Sequence, residues 1–140
     1  MILNYEHTFI QVAADCPVTA AVVPVEKGGR KTLAVLQYEM LAQNPYQYTQ
    51  EDVLFEVFVR HKEVPAHELA ARRAELRQEF FARSQACLRA SPLPKRYGWG
   101  LHFNPEGKVA LCPMESDEYR RFVAGGPDGP TVLKAMRSTR

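Results

Sequence analysis

The run Cys87-Leu88-Arg89-Ala90-Ser91-Pro92-Leu93-Pro94-Lys95-Arg96-Tyr97-Gly98-Trp99-Gly100 concentrates more chemistry than any other stretch of this chain. It combines three cations, a thiol, a hydroxyl, two prolines, two glycines and the only tryptophan. Stiff backbone, positive charge and aromatic surface together suit the rim of a ligand site, because loops on a rigid scaffold carry function. Arg89, Lys95 and Arg96 can clamp a carboxylate or phosphate, a job that arginine does bidentately. Tyr97 or Trp99 offers aromatic surface, and His102, just beyond, can orient a polar group. Arg137 lies in the C-terminal run Lys134-Ala135-Met136-Arg137-Ser138-Thr139-Arg140. It joins the rim if Val132 to Met136 pairs as a strand; otherwise such an end is a solvated tail.

The other reactive groups are thiols. Cys112 beside His102 would be an activated nucleophile if the imidazole held the thiolate. Cys87 precedes Arg89, whose charge would lower its pKa. Three cysteines, Cys16, Cys87 and Cys112, cannot all pair internally, and their spacings match no zinc template. Reduced, partly buried thiols are expected, with no metal and no cofactor. Neither Gly28-Gly29 nor Gly125-Gly126 leads into a phosphate-loop sequence, and Gly98-Trp99-Gly100 is no dinucleotide fingerprint. His67-Glu68 lacks a second histidine where Ala71 stands, so it is not a zinc-protease helix. No serine occupies a nucleophile-elbow sequence.

Composition bounds the class. The chain has 140 residues, 46% hydrophobic and 24% charged, which is ordinary for a soluble globular domain. No apolar run reaches the roughly 18 to 20 residues that span a bilayer. The start, Met1-Ile2-Leu3-Asn4-Tyr5-Glu6, lacks the regions of a signal peptide, so a cytoplasmic location is expected. Net charge is +2, unevenly spread. Residues 1–70 carry five Lys/Arg against nine Asp/Glu, and residues 71–140 carry thirteen against seven. That asymmetry fits a small anionic ligand better than nucleic acid, which usually recruits a larger basic excess.

These groups need elements to hold them. Thr8 to Ala13 reads as a first strand, ended by Asp15-Cys16-Pro17. Val18 to Val25, with Pro24, reads as extended chain or an edge strand. Thr32 caps a helix to about Ala42, with Leu33, Leu36, Met40 and Leu41 at helical spacing. Thr49-Gln50-Glu51-Asp52 resembles a capping box and favours a helix from Gln50 to His61. The run Val53 to Val59 also suits a buried strand. Pro65 opens a helix to about Arg83, with Leu69, Leu76 and Phe80 as its buried stripe. Glu68 with Arg72, and Glu79 with Arg83, form i,i+4 pairs on its wet face. Ser116 caps a short helix through Val123, and Thr131 to Ser138 ends the chain as a strand.

Between them lies a hairpin. Tyr97 to Phe103 and Lys108 to Met114 are its arms, and Asn104-Pro105-Glu106-Gly107 is its turn. The register places Phe103 near Val109, Leu101 near Leu111 and Trp99 near Pro113. This bulky face is the core face, with Trp99 substantially buried. On the small face Gly100 falls opposite Cys112, and His102 opposite Ala110. Two readings are open there: a helix packs on the glycines, or the face is a pocket floor under Arg89, Lys95 and Arg96.

Several segments carry a resemblance. They are Asp15-Cys16-Pro17-Val18, Asn44-Pro45-Tyr46 with Tyr48-Thr49, Asp52 to Val57, Cys87 to Gly100, and Ala135-Met136-Arg137-Ser138. Together they are similar to a small bacterial family known only as a domain of unknown function, over nearly the full chain. The resemblance implies a bacterial, stand-alone, single-domain protein of residues 1–140 and brings no activity, cofactor or catalytic residue. From the residues themselves we expect an α+β fold, a small antiparallel sheet of three to five strands with helices packed on one side. The expected function is binding of a small anionic ligand. The alternatives are an enzyme using Cys112 or Cys87 with His102, or a homodimeric interaction module with Tyr46 and Tyr48 at the interface.

Overall fold

Thr8–Gln11 forms strand β1, followed by helices α1 (Leu33–Gln43), α2 (Gln50–His61) and α3 (Ala66–Ala82). A 3-10 turn, Leu88–Ala90, leads into the short helix α4 (Pro92–Arg96). Strands β2 (Trp99–Phe103) and β3 (Val109–Pro113), helix α5 (Asp117–Ala124) and strand β4 (Thr131–Lys134) complete the chain. This is a computed structural model, and it describes residues 4–138. Met1 to Leu3, and Thr139 and Arg140 of the C-terminal cationic run, lie outside the described residues.

Local chemistry sets the helix starts. Thr32 accepts from the Val35 amide at 3.3 Å. Thr49 and Asp52 form a reciprocal capping box, which settles residues 50–61 as helix and excludes the strand. Pro65 sits at the N-cap of α3, and Ser116 caps α5.

The fold is α+β, with sheet order β3-β2-β1-β4. The hairpin register is the expected one at all five pairs, from Trp99 with Pro113 to Phe103 with Val109. Gly107 takes a left-handed φ of 81° in the turn, and Asn104 Oδ1 accepts from the Glu106 and Lys108 amides. β1 pairs antiparallel with β2, but β4 pairs parallel with β1, so the sheet is mixed. The reason is connectivity. From β3 on one edge the chain must cross the sheet to reach β4 on the other, and α5 makes that crossing.

The sheet therefore has two covered faces. Ile10, Leu101, Phe103 and Val109 join Leu36, Met40 and Leu41 of α1, Val53 and Val57 of α2 and Leu93 of α4 in one buried cluster. On the second face Phe9 meets α5: its ring stacks on Phe122 at 5.0 Å and meets Tyr119 edge-on at 5.2 Å. The expectation of helices on one side holds for α1, α2 and α4, while α5 takes the other.

Other differences are local. β1 ends at Gln11, because the Val12 amide turns to the Tyr119 hydroxyl and the Ala13 amide to the Pro94 carbonyl. β2 begins at Trp99 rather than Tyr97, since Tyr97 is the C-cap of α4. Trp99 is only partly buried; it packs on Tyr38 and donates from Nε1 to the Val22 carbonyl. No residue of α3 is buried, so Leu69, Leu76 and Phe80 are half-covered instead of a core stripe. The helix lies outermost, on α2, with Phe80 against Phe58 and Arg77 paired to Asp52. Glu68 pairs with Arg72 as expected, but so does Glu79: the helix stops at Ala82, and extended Arg83 falls outside i,i+4 geometry.

Candidate functional site

The segment expected to be an irregular rim is short helical structure with buried anchors. Leu88 and Leu93 are 1% and 0% exposed. Two buried glutamines hold it from neighbouring helices. Gln50 Oε1 accepts from the Leu88 amide at 2.7 Å, and Gln37 Oε1 accepts from Ser91 Oγ at 2.5 Å. Ser91 also accepts from the Leu93 amide, capping α4, and Pro92 occupies the first turn. Such satisfied buried polar contacts fix a segment rather than let it drift.

Lys95 and Arg96 stand on the last turn of α4. With Ala90, Pro92 and Ser138 they line a cleft of about 280 Å³. The C-terminal segment forms the facing wall. Its Met136 amide donates to the Arg89 carbonyl at 2.9 Å, and Arg89 Nε donates to the Lys134 carbonyl at 2.9 Å. The Ser138 amide donates to both carboxylate oxygens of Asp15. Arg137 is thus carried between two tethered residues beside the cleft. Among the described residues, Lys95, Arg96 and Arg137 have no carboxylate partner. Arg89 is partly committed to the backbone.

An apolar cavity of about 270 Å³ adjoins this cleft and shares its Ala90 and Pro92 walls. Cys87 lines it, and its sulfur accepts from the Tyr5 hydroxyl at 3.4 Å. Burial first, then that thiol, pushes the Tyr5 hydroxyl up to about 12.

The sequence candidates divide between these places. Lys95 and Arg96 share the cleft, with Arg89 and Arg137 flanking it through their backbones. Tyr97 and Trp99 lie apart, tied to the Val22 segment: the Tyr97 carbonyl accepts from the Val22 amide at 2.8 Å. Neither lines the cleft. His102 is on the opposite face of the sheet, against α5. Its ring stacks on Phe122 at 4.0 Å, and Nδ1 shares a 2.8 Å hydrogen bond with the Tyr46 hydroxyl. Burial, reinforced by His7 and opposed by Glu118, lowers its pKa. Cys112 pairs with Ser116 Oγ at 3.6 Å, and burial pushes its thiol up. His102 is therefore engaged with a tyrosine, and Cys112 carries none of the depression that an activated thiolate has. The small face of the hairpin is a packing surface. A Cβ on Gly100 would lie 2.6 Å from Phe9 and 2.9 Å from Tyr119.

A family model described as a family of unknown function (DUF6157) matches residues 1–140. The chain belongs to this family. No curated protein and no solved structure matches it.

In this DUF6157 protein a second cationic cleft went unforeseen. Arg30, Lys31, Arg60, His61 and Lys62 line about 750 Å³ between the Gly28-Gly29 turn and the end of α2. Lys31 is already paired with Glu39 at 2.9 Å, and Glu63 also lines the space. The two basic clusters are about thirty residues apart in sequence, and only the packing of α1 on α2 joins them. Of the tyrosines expected at a dimer interface, Tyr46 is exposed and shares a hydrogen bond with His102, and Tyr48 packs partly buried against the main cluster. Among the described residues no three His, Cys, Asp or Glu side chains gather as metal ligands. No described helix is long and apolar enough to cross a membrane.

Proposed function

We propose that this protein binds a small anionic ligand at the cleft of Lys95 and Arg96. The observation that carries the reading is a pair of cations that, among the described residues, have no carboxylate partner, on a helix whose cap Ser91 is held by Gln37 and whose preceding turn is held by Gln50. Uncompensated positive charge on a rigid element is pre-organised for a carboxylate or phosphate, so little ordering cost remains at binding. Arg137 adds charge from the facing C-terminal segment, just beyond β4. Asp15 is the nearby acid, and its oxygens are occupied by the Ser138 amide.

The test is thermal unfolding in phosphate or sulfate against chloride at equal ionic strength. A ligand at a hundred times its Kd stabilises by about 2.7 kcal/mol through linkage. Arg96 is exposed, so Arg96→Ala leaves the fold intact and removes the phosphate-specific part. Arg72→Ala, on the wet face of α3, keeps it. Equal shifts from chloride and phosphate, or a shift lost in Arg60→Ala instead, would reject this site.

A further inference from the structure

Resting on that reading, we infer that the anion carries an apolar chain. The ligand is a single-tailed amphiphilic acid, its head at Lys95 and Arg96 and its tail in the adjoining cavity beside Cys87. Two independent features meet at one corner. The cationic cleft and the apolar cavity share Ala90 and Pro92, where the 3-10 turn runs into α4. Each space alone falls below the range of small-ligand pockets, about 300 to 1,000 Å³; an occupant spanning both falls within it.

The chemistry of the walls fits a hydrocarbon. Leu33, Leu54, Val57, Phe58 and Phe80 stand among its walls. Leu33 is 46% exposed at the first position of α1, an apolar side chain left against water. Among the described residues no charged one lines the cavity. Two of its few polar side chains are engaged within the protein: Ser91 Oγ donates to Gln37 Oε1, and Gln85 Nε2 donates to the Phe80 carbonyl. An occupant therefore meets mostly apolar walls, and such surface favours an apolar guest. At the mouth the demand reverses, because Lys95 and Arg96 want an anion. A purely polar anion leaves the cavity empty, and a neutral hydrocarbon leaves the cations unmatched. An alkyl carboxylate or alkyl phosphate satisfies both.

The experiment is calorimetric titration of the full chain with straight-chain carboxylates from acetate to decanoate, with octyl phosphate and octanol as further arms. Affinity should climb about fourfold per methylene, then level off when the cavity is full. Octanoate should bind at least tenfold tighter than octanol. Ala86→Phe, at an exposed residue of the cavity wall, should weaken octanoate but leave the phosphate-specific thermal shift intact. The double variant Lys95→Ala/Arg96→Ala should weaken octanoate at least tenfold while the slope with chain length persists. Octanoate should also slow alkylation of Cys87 and not of Cys16. A flat series with the phosphate shift retained overturns the tail and leaves the anion reading standing. Octanol binding as tightly as octanoate, with no phosphate shift, overturns the anion reading and this inference with it.

Discussion

His102 is the residue whose environment departs furthest from its sequence context. Nothing local in Gly100-Leu101-His102-Phe103 marks it as sandwiched between Phe122 and Tyr46. Burial depresses its pKa, so the folded protein disfavours the imidazolium. The unfolded chain binds that proton at the ordinary value of about 6.5. Below that pH the unfolded state holds the extra proton, and stability falls until the pH passes the lower folded value. The contribution is complete above about 6.5. His102 should therefore add no pH dependence to the midpoint of thermal unfolding from about pH 7 upward and lower it on acidification, and His102→Gln should flatten the drop between about pH 5 and 7. Parallel profiles for the two proteins would exclude His102 as the source.

At the scale of elements, the contact of α5 with the hairpin is the most constrained. Phe9 is 0% exposed between Tyr119 and Phe122, and Gly100 leaves room for that ring. Gly100→Ala pushes a methyl group into the ring, and overpacking of this kind costs about 1 to 3 kcal/mol. Chemical denaturation should show a lower midpoint with an unchanged slope. Ordinary stability in Gly100→Ala would mean that α5 rides loosely on the sheet. α3 is the opposite case: none of its residues is buried, and its ion pairs to Glu68, Glu75 and Glu79 through Arg72 are exposed ones of little worth.

Across the whole molecule, Cys112 reports on cooperative opening. It is 2% exposed, in β3 on the face that α5 covers, and burial raises its thiol pKa. Native Cys112 should react with iodoacetamide only through transient opening, far more slowly than partly exposed Cys16, and all three thiols should react freely in denaturant. Gly100→Ala, by weakening the same interface, should speed Cys112 in proportion to its lost stability. A fast Cys112 in the intact protein, slowed by His102→Ala, would instead revive a Cys/His nucleophile.

Patterns with a short range were legible in the sequence. The Thr49–Asp52 capping box, the Thr32 and Ser116 caps and the five hairpin pairs follow from turn chemistry and alternation, and those forces act over a few residues. The α+β class follows from the same patterns. What the tertiary structure alone decided has a longer range. The parallel β4 depends on where the chain lies after α5. The helical state of residues 88–96 depends on Gln37 and Gln50, some forty to fifty residues away, which tie down a backbone too short and proline-rich to announce a helix. The separation of Tyr97, Trp99 and His102 from Lys95 and Arg96 has the same origin. The period of a strand says which residues share a face, and only the packing of helices on each face says what that face meets.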